Sequence, residues 1–320
     1  MDIFTHLILG ILTYFPLILR LSPEAILLIA VMSIFPDIDI FFEPIAKKYN
    51  LYFLSHRAGT HSYFMGLLFT GTFALIISVL RKTFFFEIWI AGFIGYSLHV
   101  SLDFFTASKI PIFYPISKKE FRIIADRAIN PVLFIFSGLN FIILISFLHI
   151  NPDYHFFRTL TMIYSYIYLG YFGARAILRI AVQIQLSKNE QYIPGIIPFS
   201  YFIYMKNINN GDMAFKLIKK FAFSRKSEEI INHSILKDSH FVPYFEIAEK
   251  VSQEFRFFHK WNSIIPFFNE KNNLINIVLI LAESYSRESS YFLSIILDKN
   301  SKQVISKEEG FGSFKKWKNF

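Results

Sequence analysis

Apolar residues do not scatter along this chain. They gather into six long runs before about residue 182, at 3–19, 25–42, 62–80, 86–106, 131–149 and 159–181. Each run is close to the ~20 residues a helix needs to cross a bilayer. The first two are interrupted by His6, Asp37 and Asp39 and joined only by Arg20–Glu24. They read either as a tight hairpin or as two shorter, partly inserted helices. The pattern therefore predicts an all-α polytopic membrane domain of about six apolar helices over residues 1–182. Beyond it, 183–320 has the mixed pattern of a water-soluble domain.

That second region opens on a proline-containing connector, Tyr192–Pro198. Helical spacing follows around 211–223 and 243–260. Leu274–Ala282 and Tyr291–Leu297 are apolar runs of strand length, Asp298–Asn300 is turn-like, and Lys302–Ser306 reads as a returning strand. The expectation is a small cytoplasmic α+β domain. The end, Phe314–Phe320, is basic and aromatic and reads as a frayed terminus or a membrane contact.

Composition agrees with a membrane protein. The 320 residues are 53% hydrophobic and 18% charged, against about 25% charged in an ordinary soluble domain. The formal charge of +9 reads here as loop orientation and attraction to anionic lipid rather than nucleic-acid binding. Loops 43–61 and 107–130 carry eight basic residues: Lys47, Lys48, Arg57, Lys109, Lys118, Lys119, Arg122 and Arg127. The opposite loops carry four: Arg20, Arg81, Lys82 and Arg158. The positive-inside rule makes the first side, and the tail with it, cytoplasmic. No basic stretch precedes Ile3 and no small-residue cleavage site follows, so the first run reads as a retained helix.

The absence of cysteine excludes disulfides, zinc–thiolate sites and thiol nucleophiles. Any metal ion must be held by His, Asp or Glu. Four histidines (His6, His56, His61, His99) and three aspartates (Asp37, Asp39, Asp103) fall at one and the same end of successive apolar runs. Ionisable groups at membrane depth are costly and usually partnered. Seven on one side imply a shared site, and a divalent cation would neutralise the carboxylates and take neutral imidazoles as ligands. His99 and Asp103 are four apart and share a helix face. Pro36 disfavours helix at Phe35, so the segment with Asp37 and Asp39 is expected to distort. In His56-Arg57-Ala58-Gly59-Thr60-His61-Ser62, two histidines bracket a turn and Thr60 is placed to cap the next helix. Arg57 suits an anionic group such as phosphate. Asp126 and Asn130 return to the same side, and Arg175 is placed to balance a carboxylate or hold phosphate. His149, His155, His233, His240 and His259 stand apart from this group.

Taken in order, Thr5-His6 with Gly10, Pro36-Asp37-Ile38-Asp39, His56-Arg57 through Thr60-His61-Ser62, and His99 through Asp103 and Thr106, with Pro115 beyond, resemble the membrane-bound metal-dependent hydrolase family, also called YdjM-like or DUF457. More distantly the pattern is similar to zinc-dependent phospholipase C. The resemblance covers about residues 1–180. It implies metal ligands at His6, Asp37, His56, His61, His99 and Asp103, with Asp39 as ligand or proton acceptor. Beside these, Ser62, Thr106, Asp126 and Arg175 are expected in support of the ions or substrate. One or two divalent ions are expected, zinc first, with manganese or iron as substitutes. The expected activity is hydrolysis of a lipid or amphiphilic phosphoester at the cytoplasmic face of the cell membrane, with Asp39 accepting a proton and Arg57 steadying phosphate. The partners expected are the bilayer and an anionic, lipid-like substrate, with no nucleic acid. Two departures stand out: Asn130 occupies a position before Pro131 where such proteins often carry an acid, and the tail bears no alignable motif. A membrane di-iron oxidase or desaturase is an alternative reading. A transporter is another, as is a non-enzymatic membrane protein with a structural metal site and a partner-binding tail.

Overall fold

The computed structural model describes residues 1–14, 21–150, 154–286 and 289–313. The chain divides into two compact units, Met1–Ile177 and Leu178–Phe320.

The first unit is helical. Its helices are α1 (Ile3–Tyr14), α2 (Pro23–Met32), α3 (Asp39–Tyr49), α4 (Tyr63–Arg81), α5 (Phe85–Phe105), α6 (Pro131–Ile150) and α7 (Tyr154–Gln183), the last running on past Ile177. Pro23 opens α2 at a position where its missing N–H costs nothing, after the Ser22 side chain caps the Ala25 amide. Ser62 caps α4 by accepting from the Met65 amide, and Lys82 closes it in the left-handed conformation. On α5, Ile88, Ala91, Gly92, Gly95, Tyr96, His99, Val100 and Asp103 are buried at helical spacing and face α2 and α4. Phe86, Ile90 and Ile94 are exposed on its other side, as befits a lipid-facing stripe. Gly95 lets α5 approach the α2 backbone closely: a Cβ there would collide with the Ile29 carbonyl oxygen and lie 3.0 Å from its carbon. Interfaces between membrane helices are enriched in small residues for this reason.

The expectation of about six spanning helices fails. Among the described residues only α4 and α5 are each long and apolar enough to cross a membrane. A third span exists only if α2 and the helical stretch Phe35–Ala46 are counted together, and these are bent by 52°. The physical reasons differ by segment. Pro36 interrupts the second run just after Ser33 closes α2. Ile3–Thr13 and Pro131–Phe147 are apolar but shorter, and Phe15–Arg20 lie outside the described residues. Helix α7 is 30 residues long, but repeated tyrosines together with Arg158, Arg175 and Arg179 dilute its hydropathy.

The second unit corrects the α+β expectation, being dominated by two four-stranded antiparallel sheets. The first is β1 (Glu190–Pro194), β2 (Ser200–Asn209), β3 (Asp212–Phe221) and β4 (Ser227–Ile235). The second is β5 (Ile264–Lys271), β6 (Leu274–Leu281), β7 (Ser289–Asp298) and β8 (Val304–Ser313). Each is a simple meander in sequence order. The stretch read as a helix at 211–223 is β3, hydrogen-bonded on both sides. Tyr192–Pro194, read as connector, is the end of β1. Two short helices, α8 (Val242–Ser252) and α9 (Arg256–Lys260), fall between the sheets in sequence. Phe202, Phe215 and Leu217 of the first sheet share one core with Phe245 of α8 and Ile277, Leu279 and Leu293 of the second. Phe314–Phe320 lies outside the described residues.

Candidate metal centre

Three elements deliver the histidines and aspartates to one place. The first is the single 3-10 turn Phe35–Ile38, made where Pro36 breaks the α2 helix, which carries Asp37. The second is the loop before α4. It is tied down by side chains rather than by regular structure: Glu43 accepts from the His56 amide at 2.7 Å, and Asp39 Oδ2 accepts from the Arg57 amide at 3.0 Å and the Thr60 hydroxyl at 2.6 Å. The third is the buried face of α5, carrying His99 and, one turn on, Asp103.

Single ligand atoms from Asp37, His61, His99 and Asp103 all lie within 4.8 Å of one another. His61 Nε2 is 3.4 Å from Asp37 Oδ1, 3.4 Å from Asp103 Oδ2 and 3.2 Å from His99 Nε2. His99 Nε2 is 3.6 Å from Asp37 Oδ1. Both imidazoles are gripped from behind. His99 Nδ1 donates to the Ser33 carbonyl at 2.8 Å, and His61 Nδ1 lies 3.2 Å from Asp39 Oδ2. These contacts leave each Nε2 turned inward, the arrangement by which outer carboxylates and carbonyls orient metal-ligating histidines.

The donor set fits a divalent cation. Asp37 Oδ1 is buried and accepts no hydrogen bond, a state that costs free energy unless something positive completes it; Asp103 Oδ2 also accepts no hydrogen bond but faces the Arg57 guanidinium. Two imidazoles and two carboxylates without thiolate match zinc, manganese or iron. Negative charge is in excess. Burial opposes a proton on His61, yet Asp103, Asp37 and Asp39 outweigh it and push its pKa up to about 10. The cations that face Asp103 are the Met1 α-ammonium, in contact with Oδ1, and the Arg57 guanidinium, whose Nε is 3.2 Å from Oδ2.

The other expected residues fall into three groups. His6 borders the centre: it is fully buried, stacks on His99 with ring centroids 3.8 Å apart, and its Nε2 lies 3.5 Å from Asp103 Oδ1. Neither of its ring nitrogens has a hydrogen-bond partner. Asp39 and His56 form a pair beside the centre, Oδ1 to Nδ1 at 2.5 Å. Asp39, expected as ligand or proton acceptor, is engaged through both oxygens and sits behind His61. Burial holds the His56 imidazole below its ordinary pKa, against the pull of Asp39. With Arg57, His56 lines a cavity of about 290 Å³ whose other walls include Asp37, Ile34, Ile38, Ile40, Phe41 and Ile129.

Ser62 and Thr106 serve as helix ends. Ser62 caps α4 in the role expected of Thr60, and the Thr106 hydroxyl donates to the Asp103 carbonyl at 2.8 Å. Asp126 and Arg175 form a separate buried ion pair at 2.5 Å. The Tyr171 hydroxyl donates to Asp126 at 2.6 Å and the Asn130 amide at 3.2 Å. Arg175 thus holds a carboxylate of its own chain. Sequence reasoning passed over Ser33, Tyr96, Ser108 and Tyr171. Tyr96, whose hydroxyl donates to the Thr60 carbonyl, had a signal in lying three before His99 on the same helix face. Ser108, which accepts from Arg57, and the Ser33 carbonyl had none, because loop packing brings them in.

No curated protein and no solved structure matches the chain. The family model described as YdjM inner membrane protein matches residues 1–177, more than half of the chain and the whole span that carries the metal-centre residues. The chain belongs to this inner membrane protein family.

Proposed function

We propose that the chain is a membrane-bound metal-dependent hydrolase, with a divalent ion held by Asp37, His61, His99 and Asp103 and an amphiphilic phosphoester as substrate. The observation that carries the reading is the convergence of two inward-turned imidazoles on two buried carboxylate oxygens that lack hydrogen bonds. Held by these four residues, a divalent ion would supply Lewis acidity toward a phosphoryl oxygen and would lower the pKa of a water so that it gives up its proton near neutral pH. The chain's own residues do the rest. Arg57, at the cavity edge, holds the anionic group. His56, kept neutral by burial and oriented by Asp39, accepts the proton of the attacking water and returns it to the leaving group. The apolar cavity wall of Ile34, Ile38, Ile40 and Phe41 takes a hydrocarbon portion of the substrate and keeps bulk water from it. The eight basic residues of 43–61 and 107–130, the stretches that flank the α4–α5 pair at one end, support a cytoplasmic location for this face.

The competing reading is a structural ion. It is favoured by the complete burial of His61, His99 and Asp103, since structural sites are closed and catalytic ones keep an open position. Exposure of the Asp37 side chain, 17%, and the adjoining cavity favour catalysis. The test is metal analysis of purified wild type beside His61→Ala and Asp103→Asn, together with turnover of a short-chain phospholipid and a nitrophenyl phosphodiester. Loss of metal from both variants, with turnover in wild type that EDTA abolishes, is expected. Equal metal in all three rejects the ligand set. Bound metal without turnover of either ester favours the structural ion.

A further inference from the structure

At one end of the first sheet, opposite the β2–β3 turn, the loops 195–199 and 222–226 come together. The register fixes this: Ser200 pairs with Phe221 and Lys220 with Ser227, and the Ala222 amide donates to the Phe199 carbonyl at 2.9 Å. Four apolar side chains, Ile197, Phe199, Phe221 and Phe223, are exposed there, Phe223 by 85%. The rings of Phe199 and Phe223 touch, with centroids 5.0 Å apart. Lys220, Arg225 and Lys226 stand among them, and none forms an ion pair among the described residues. Lys219 is spent on Glu228 at 3.1 Å. Neither loop contains an acidic residue, and the nearest further acid along the chain is Glu229.

We propose that this tip inserts its aromatic side chains into the interface of a bilayer rich in anionic lipid. Exposed aromatics flanked by unpaired cations complement a surface of negative headgroups over hydrocarbon. A protein partner fits less well. Four side chains at a loop tip offer on the order of a few hundred Å², well short of the ~800 Å² per partner of a stable protein interface. The site lies in a different unit from the metal centre and does not depend on the hydrolase reading.

The absence of native cysteine makes the test direct. Full-length protein with Phe223→Cys, labelled with an environment-sensitive fluorophore, is reconstituted into phosphatidylcholine vesicles with or without 30% phosphatidylglycerol. Spin-labelled lipid serves as the quencher, and Asn300→Cys, at the β7–β8 turn, is the reference position. The expected result is a blue-shifted label at 223, quenched in the anionic vesicles and much less in the neutral ones, with the label at 300 remaining in water. Replacing Lys220, Arg225 and Lys226 with Gln should weaken the docking by roughly fivefold per charge. A label at 223 that stays in water in both vesicles overturns the proposal. Quenching independent of phosphatidylglycerol, or equal at 223 and 300, overturns it too. A label that is shielded but unquenched, and crosslinks to a second copy, assigns the tip to self-association instead.

Discussion

Replacing Gly95 with Ala tests whether helix packing sets the metal geometry. The new methyl carbon would lie 3.0 Å from the Ile29 carbonyl carbon and 3.1 Å from its Cα, and nearer still to the carbonyl oxygen. These are backbone atoms and cannot rotate away, so α2 must retreat from α5 by about 1 Å to restore ordinary contact. Overpacking of this kind costs about 1–3 kcal/mol. The same retreat stretches the 2.8 Å bond from His99 Nδ1 to the Ser33 carbonyl beyond hydrogen-bonding range, and it draws Asp37, which follows α2, away from His61. Loss of such an orienting contact lowers metal affinity by about 10–100-fold. The assays are calorimetric metal titration and thermal unfolding in one detergent, with Gly173→Ala as control. A Cβ at Gly173 meets nothing within 4 Å, and the change there should be neutral or stabilising by up to ~1 kcal/mol. If Gly95→Ala binds metal as tightly as wild type while being destabilised, the α2–α5 contact does not position the ligands and the Ser33 carbonyl does not orient His99 for metal.

Three further outcomes follow from the same geometry. Asp39→Asn should keep the metal stoichiometry but weaken affinity about 10–100-fold, measured by competition with a chelating dye; an unchanged affinity would remove Asp39 from the support of His61. Asp126→Asn removes the negative charge facing the buried Arg175 guanidinium and should cost about 3–5 kcal/mol of stability while metal content per folded molecule stays at the wild-type value, as thermal unfolding and elemental analysis would show. In the second unit, burial lowers the pKa of His233, whose ring lies against Phe267 and Phe268 and whose Nε2 has no hydrogen-bond partner. The native state therefore resists a proton that the unfolded chain accepts. Stability should be at its full value above pH ~6.5, fall by at most about 1.4 kcal/mol per unit below it, and level off under the folded pKa. Hydrogen exchange at β4 measures this, and His233→Leu should flatten the curve.

The candidate metal centre was more legible than the architecture around it. Polar residues that end apolar runs are conspicuous in sequence because bilayers penalise them, so His61, His99, Asp37 and Asp103 stood out together. The length of each run was a poorer guide. Helix α7 mixes tyrosine and arginine into a long helical pattern, and the run across Pro36 counts as one segment until the bend divides it. In the tail, Phe215 and Ile218 have helical spacing, whereas the structure buries Phe215 and Leu217 in strand alternation. Pairing to strands on both sides decides that contest. A local sign was available: Asn210-Gly211, both at positive φ, is the residue pair of a tight hairpin turn. Asn272-Asn273, also at positive φ, marks the β5–β6 hairpin in the same way. Asp39 could not be told from Asp37 by sequence, since their division of labour rests on which nitrogen of His61 each one meets.

The break at Pro36 does more than shorten a span. In an unbroken helix, side chains two apart leave the axis about 200° from each other, so Asp37 and Asp39 would reach opposite neighbours. Here they clasp a single imidazole at its two ends, Asp37 toward Nε2 and Asp39 toward Nδ1. The kink works as a pair of tongs: one proline converts two adjacent-but-one acids on the chain into opposing jaws, and any change that straightened the helix would open them.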